Sequence, residues 1–148
     1  MSNQFLGEGN IGKEPEVKQF QSGNNEPRFL LRFPVYFDNP VKGKDGKFED
    51  KGGFWANVEL WMGEEANRLA DLYQKGQRVQ VQGRMIRDTW KDEETDEEKS
   101  AFKIRARRVG ILPFRVEEVV MRQSSGAKEE RSERSEQYRD DFDDDIPF

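Results

Sequence analysis

Alternation of apolar and polar residues with a period of two runs through most of the first 112 residues. In "RFLLRFPVYFD" (28–38), Phe29, Leu31, Phe33, Val35 and Phe37 take every second position, so one face of an extended strand is apolar and the other carries Arg32 and Tyr36. Proline has no amide hydrogen to offer a neighbouring strand, so Pro34 predicts an edge strand or a bulge. "GFWANVELW" (53–61) repeats the pattern: Phe54, Ala56, Val58 and Leu60 point one way, Trp55, Asn57, Glu59 and Trp61 the other. "QRVQVQGRMIRDTW" (77–90) does so again, with Val79, Val81 and Met85 opposed to Gln80, Gln82, Arg84 and Trp90.

The segments between these runs read as connections. "NQFLGEGNIG" (3–12) is a strand whose glycines allow a bend or a close backbone approach, and "PEVKQF" (15–20) fits a short continuation. "NPVKGKDGKFEDKGG" (39–53) is a long linker in which Asp45-Gly46 fits a hairpin tip. "GEEANRLADLYQKG" (63–76) is the one good helix, with Ala66, Leu69, Ala70 and Tyr73 at helical spacing, acids at its start and Lys75-Gly76 as its stop. After the acidic tip "KDEETDEEK" (91–99), the basic strand "SAFKIRARRVGIL" (100–112) pairs back on its predecessor, and "FRVEEVVMR" (114–122) fits a further strand or a short helix. Five strands with one helix between the third and fourth predict an all-β fold with one short helix. An OB-fold, a five-stranded Greek-key barrel, fits best, although other small β folds share the strand count.

Composition divides the chain. It is 33% apolar and 37% charged, against about 45–50% and about 25% in an average globular domain. Residues 127–148 hold four basic residues (Lys128, Arg131, Arg134, Arg139) and nine acidic ones, so this stretch accounts for the whole net charge of −5. The low pI reports the tail, and the 21 basic and 21 acidic residues of 1–126 balance. "QSSGAKEERSERSEQYRD" from Gln123 has no apolar periodicity and is expected to be disordered. The expected organisation is an OB-fold domain over 1–122, a disordered linker over 123–139 and an acidic tip over 140–148. Without cysteine or histidine, disulfides, thiol nucleophiles, Ser-His triads and the usual zinc sites are excluded, and no cofactor or metal is expected. No secretory leader opens the sequence and no apolar run approaches the roughly 20 residues of a membrane span, so the expected location is cytoplasmic, with the nucleoid.

The chemistry lies in the tryptophans. Trp55 and Trp61 share a face with Asn57 and Glu59 while the opposite face supplies a complete apolar set, and Trp90 and Tyr36 hold polar-facing positions in their own strands. Exposed rings interleaved with Arg32, Arg84, Lys103, Arg105 and Arg107 suit a single-stranded nucleic acid. Its unpaired bases stack on aromatic rings for about 1–3 kcal/mol each in known single-strand binders, while its phosphates need cations nearby. Duplex DNA keeps its bases stacked internally and cannot use such a platform. A lone tryptophan in a β protein is more often core or interface; three together in polar-facing positions weigh against that. Arg105, Arg107 and Arg108 also admit a plainer role, as ion-pair partners of the acidic hairpin.

Several of these stretches resemble the bacterial single-stranded DNA-binding protein family. "GNIGKEPEVKQF" is similar to its opening strand and Glu-Pro-Glu turn, "FWANVELW" to its central strand with an aromatic at each end, and "YQKGQRVQVQGRMIRDTW" to its Lys-Gly, strand, basic run and Trp. "DDFDDDIPF" (140–148) is similar to its acidic tail. The resemblance implies an OB-fold that usually assembles as a homotetramer wrapped by DNA. It places Tyr36, Trp55, Trp61 and Trp90 at base-stacking positions and Pro147 and Phe148 at a partner-docking tip. Two stretches depart from the family pattern: the hairpin "KDEETDEEK" is acidic where family members more often present basic or neutral residues, and "PFRVEEVVMRQ" (113–123) looks more structured than the usual exit from the barrel.

The ending has its own logic. A solubilising tail has no use for Ile146, Pro147 and Phe148, so Asp143, Asp144 and Asp145 are expected to steer toward a basic rim while Phe148 enters an apolar pocket and its carboxylate meets a cation. The expected function is non-enzymatic: coating and protecting single-stranded DNA, with little sequence preference, during replication, recombination and repair, and recruiting genome-maintenance proteins through the tip. The rival is an OB-fold adaptor of a primosome or mobile-element replication complex, acting mainly through protein contacts. A metal-dependent nuclease is disfavoured, because acids in a loop tip and a flexible tail cannot hold two ions about 4 Å apart.

Overall fold

The computed structural model describes residues 2–21, 23 and 26–122. Eight strands and one α-helix follow in the order β1 (Phe5–Ile11), β2 (Glu16–Gln21), β3 (Pro27–Phe37), β4 (Pro40–Lys42), β5 (Phe48–Asp50), β6 (Phe54–Met62), α1 (Ala66–Leu72), β7 (Arg78–Lys91) and β8 (Glu98–Ile111). Five of them, β1, β7, β8, β6 and β3, close on themselves, because β1 also pairs with β3. All these pairings are antiparallel except β6 with β8. With α1 between the third and fourth barrel strands, this is the Greek-key barrel of an OB-fold. β2 lies outside the closure, paired among the described residues only with β3, and β4–β5 form a separate hairpin. Among the described residues, no helix is long and apolar enough to cross a membrane.

The period-two pattern becomes the core. Phe33, Val35, Val58, Val79, Val81 and Ile104 are fully buried, and Leu31, Phe37, Ala56 and Leu60 join them. At about 25 cal/mol per Å² removed from water, this single apolar cluster is the main driving force for closing the sheet. Helix α1 seals one end: Ala66 is buried and the Tyr73 ring packs 5.2 Å from Phe33 while its hydroxyl donates to the Val109 carbonyl at 2.7 Å. Burial raises the Tyr73 phenol above its ordinary value.

Two sequence expectations need correction. Pro34 lies in an inner strand, with β6 in unbroken register on one side. On the other side, β3 pairs with β2 at Arg32 and with β1 at Val35, and Pro34 falls where one partner hands over to the other. Its carbonyl accepts the Gly12 amide at 2.9 Å, and because a residue's N–H and C=O point to the same neighbour in a strand, the missing hydrogen falls in that gap. The segment 114–122 is neither strand nor α-helix: a 3₁₀ turn spans Pro113–Arg115, and residues 116–122 have no regular structure. The Leu112 amide donates to the carbonyl of Arg78, the first residue of β7, at 2.8 Å, so the chain beyond it has run past the end of its partner strand. The compact unit ends at Val116.

A real bulge lies elsewhere. Gln82 pairs with Arg108 but Gly83 pairs with Ala106, leaving Arg107 as the extra residue of β8. A side chain at Gly83 would put its Cβ 2.2 Å from the Arg105 carbonyl oxygen, so only glycine fits this approach. The bulge re-phases β8, and Ile104 and Ala106 before it and Val109 and Ile111 after it all pack on the core.

Candidate nucleic-acid interface

The outer face of β3 and β6 carries aromatics at both ends. At one end Tyr36 sits opposite Trp55, with ring centroids 5.2 Å apart and planes at 54°. The Trp55 indole is 60% exposed, yet it lies against backbone: a Cβ at Gly12 would come within 2.4 Å of the ring. At the other end Trp61 is half-buried, with Phe20 of β2 at 5.3 Å and the Arg28 guanidinium 5.0 Å over its ring. The two tryptophans stand six positions apart in β6, about 20 Å along an extended strand.

An open groove of about 690 Å³ runs beside Trp61, lined by Arg28, Arg84, Arg105, Arg107 and the amino-terminal residues Ser2–Gln4. Arg84 and Arg105 are cross-strand partners, and the bulge adds Arg107 to the same rim. Among the described residues, none of Arg84, Arg105 and Arg107 has a carboxylate at ion-pair distance. The plainer role, pairing with the acidic hairpin, is therefore not taken up there. The hairpin's cation is Lys99, 2.7 Å from Asp92, which holds that carboxyl below its usual range.

The middle of the sheet differs. Arg32 meets Glu16 at 3.4 Å, and Lys103 lies 3.6 Å from Glu59 and 3.0 Å from Asp88. Glu59 is only 7% exposed although it points to the outer face, with Arg32 opposite it on β3 and Arg105 on β8. Trp90 shares the face of Arg84 but stands six residues further out along the β7–β8 ribbon, 48% exposed beside the acidic tip.

The structure thus brings Trp61, Arg84, Arg105 and Arg107 together, sets Tyr36 and Trp55 apart as a second cluster, and leaves Trp90 isolated. Phe20 and Arg28 pack against Trp61 in this candidate site and escaped sequence reading. Arg28 has the same parity in β3 as Arg32 and Tyr36, which was the available signal; Phe20 acquires its place only through the pairing of β2 with β3. Among the described residues, no group of three or more acids is placed to hold a metal ion. Asp143, Asp144, Asp145, Ile146, Pro147 and Phe148 lie outside the described residues.

Residues 2–112 match the model of the single-strand binding protein family. The chain belongs to this family. It is 32% identical over 104 residues to the single-stranded DNA-binding protein of Thermosynechococcus vestitus, covering 70% of this chain and 77% of that one. Against the single-stranded DNA-binding protein 1 of a Synechocystis species it is 30% identical, covering 70% and 78%. Solved family folds superpose on it. The small single-stranded DNA-binding protein of Streptomyces coelicolor gives a TM-score of 0.61 at 19% identity, covering 75% of this chain and 94% of that one. The Plasmodium falciparum SSB in complex with ssDNA gives 0.55 at 20% identity, covering 76% and 94%.

Proposed function

We propose that this chain binds single-stranded DNA with little sequence preference, stacking bases on Trp55, Tyr36, Trp61 and Trp90 and drawing phosphates to Arg28, Arg84, Arg105 and Arg107. The observation that carries this reading is the exposure of aromatic rings on a sheet beside Arg84, Arg105 and Arg107, which no carboxylate answers among the described residues. Stacking is indifferent to base identity because every base has a π face, and a cationic groove is indifferent to sequence. Lys103 and Arg32 contribute less than a count of charges suggests, since each already has an acidic partner.

In the cell such binding coats and protects exposed strands during replication, recombination and repair, and a homotetramer of these barrels would let one strand pass over several faces. The stretch Asp143–Phe148 serves as the recruiting element for genome-maintenance proteins, its aspartates steering and its Ile-Pro-Phe seated in an apolar pocket. Phe148→Ala is expected to weaken capture of such partners and leave DNA binding unchanged, as read by pull-down and anisotropy on the same preparation.

The test of the main reading is fluorescence anisotropy of labelled oligo-dT, with a duplex of equal length as control. Tight binding of the single strand alone supports it. The neutralised middle of the sheet favours the adaptor reading, in which the tryptophans form a protein interface, and equal weak binding of both DNAs would give that reading the lead.

A further inference from the structure

The Tyr36–Trp55 cluster is tied to the β4–β5 hairpin by one side chain. The Tyr36 hydroxyl donates to the Asp50 carboxylate. That carboxylate is itself fixed, because its other oxygen accepts the Asn39 amide at 2.8 Å. Asn39 is in turn clamped to Lys51, its side-chain amide donating to the Lys51 carbonyl at 2.7 Å and its carbonyl accepting the Lys51 amide at 3.0 Å. Gly53 closes the arrangement, since a Cβ there would lie 2.4 Å from the phenol oxygen. The Tyr36 ring is therefore held at its far end by a rigid carboxylate while its side contacts Trp55. Trp55, on Gly12 beneath and Tyr36 beside, is exposed without being free to swing.

We propose that Asp50 is a positioning residue for base stacking: by accepting the Tyr36 hydroxyl it fixes the Tyr36 ring, and through that ring the Trp55 indole, in the attitude on which a base stacks. The proposal rests on the reading of this face as a single-stranded DNA platform. A site whose rings are already immobile loses less rotational freedom when a base lands, which strengthens binding without adding a contact to the ligand. Asp50 lies in the hairpin, 14 positions along the chain from Tyr36, and it touches no nucleotide in this role; its effect passes through the phenol. The same hydrogen bond, followed by partial burial and the charges of Asp50 and Asp38, raises the Tyr36 phenol above the ordinary tyrosine value, and it lowers the Asp50 carboxyl.

The experiment is a double-mutant cycle with Asp50→Ala and Tyr36→Phe, read by oligo-dT anisotropy on the full chain, together with alkaline titration of tyrosinate absorbance. Tyr36→Phe keeps the ring and removes only the donor. Each single variant is expected to weaken binding about three- to tenfold, the range set by freeing one or two side chains. The double variant is expected to lose no more than either single one, because both remove the same hydrogen bond. One phenol should titrate at lower pH in Asp50→Ala than in the wild type, and of the two raised phenols, Tyr36 and Tyr73, that of Tyr73 alone should remain in Tyr36→Phe. Additive losses, or unchanged affinity in both single variants while the wild type binds, would overturn the positioning role alone. A wild type that fails to bind oligo-dT would instead overturn the parent reading and the proposal with it.

Discussion

Four arginines and a tryptophan line the groove at one end of the sheet, and among the described residues no carboxylate lines it with them. In the middle of the same sheet, Arg32 stands against Glu16, and Lys103 lies between Glu59 and Asp88. In the sequence these cations look alike, for all of them sit at outward positions of basic strands. The difference is made by which of them has a carboxylate within ion-pair distance. A cation with an acid at its side has little net field to offer a phosphate, whereas one without an acid releases a counterion from the strand when it binds. On the proposed reading, DNA attraction is concentrated at the Trp61 end and weak in the centre.

Removing the groove's charge is the severest way to break this contrast. Arg84→Met combined with Arg105→Met is expected to lower oligo-dT affinity by about a hundredfold, from two charged hydrogen bonds at about 1.5 kcal/mol each. It should also flatten the plot of log affinity against log salt by about 0.7 for each phosphate left without its arginine. Trp61→Ala comes next, with a loss of about 1–3 kcal/mol for one stacked base and no change in salt slope. Asp88→Asn sharpens the contrast from the other side: releasing Lys103 from one of its two acids is expected to raise affinity about threefold and steepen the salt slope by up to about 0.7. The smallest effect belongs to Arg32→Met, under about twofold in affinity and within about 0.5 kcal/mol in stability, as expected of an exposed ion pair. Denaturant melts of each variant separate loss of binding from loss of fold.

Much of this was legible in residue order. Period-two alternation picked out Phe33, Val35, Val58, Val79 and Val81 as core and left Trp55, Trp61 and Arg84 outside, because a strand has only two faces and burial fills one of them. The left-handed Gly46 stands at the hairpin tip that Asp45-Gly46 marked. What stayed illegible depends on register. Nothing local to Arg32 or Lys103 says that Glu59 will lie opposite one and beside the other, since that follows from how three separate strands align. The bulge did leave a trace: in "RARRVGI" the alternation breaks at Arg107-Arg108, where two charged residues fall side by side between Ala106 and Val109. Pro34 misled for the same reason in reverse, as its missing hydrogen bond falls in a gap that only the handover from β2 to β1 creates.

Whether the exposed rings receive bases decides what this face is for. Intrinsic tryptophan fluorescence during titration with oligo-dT, with duplex of equal length as control and at low and moderate salt, asks this directly. Strong quenching by the single strand alone, saturating at a defined ratio of nucleotides to protein, is the predicted result. A signal that stays flat at low salt, with Trp55 and Trp90 as exposed as they are here, would contradict it and assign those rings to a protein partner.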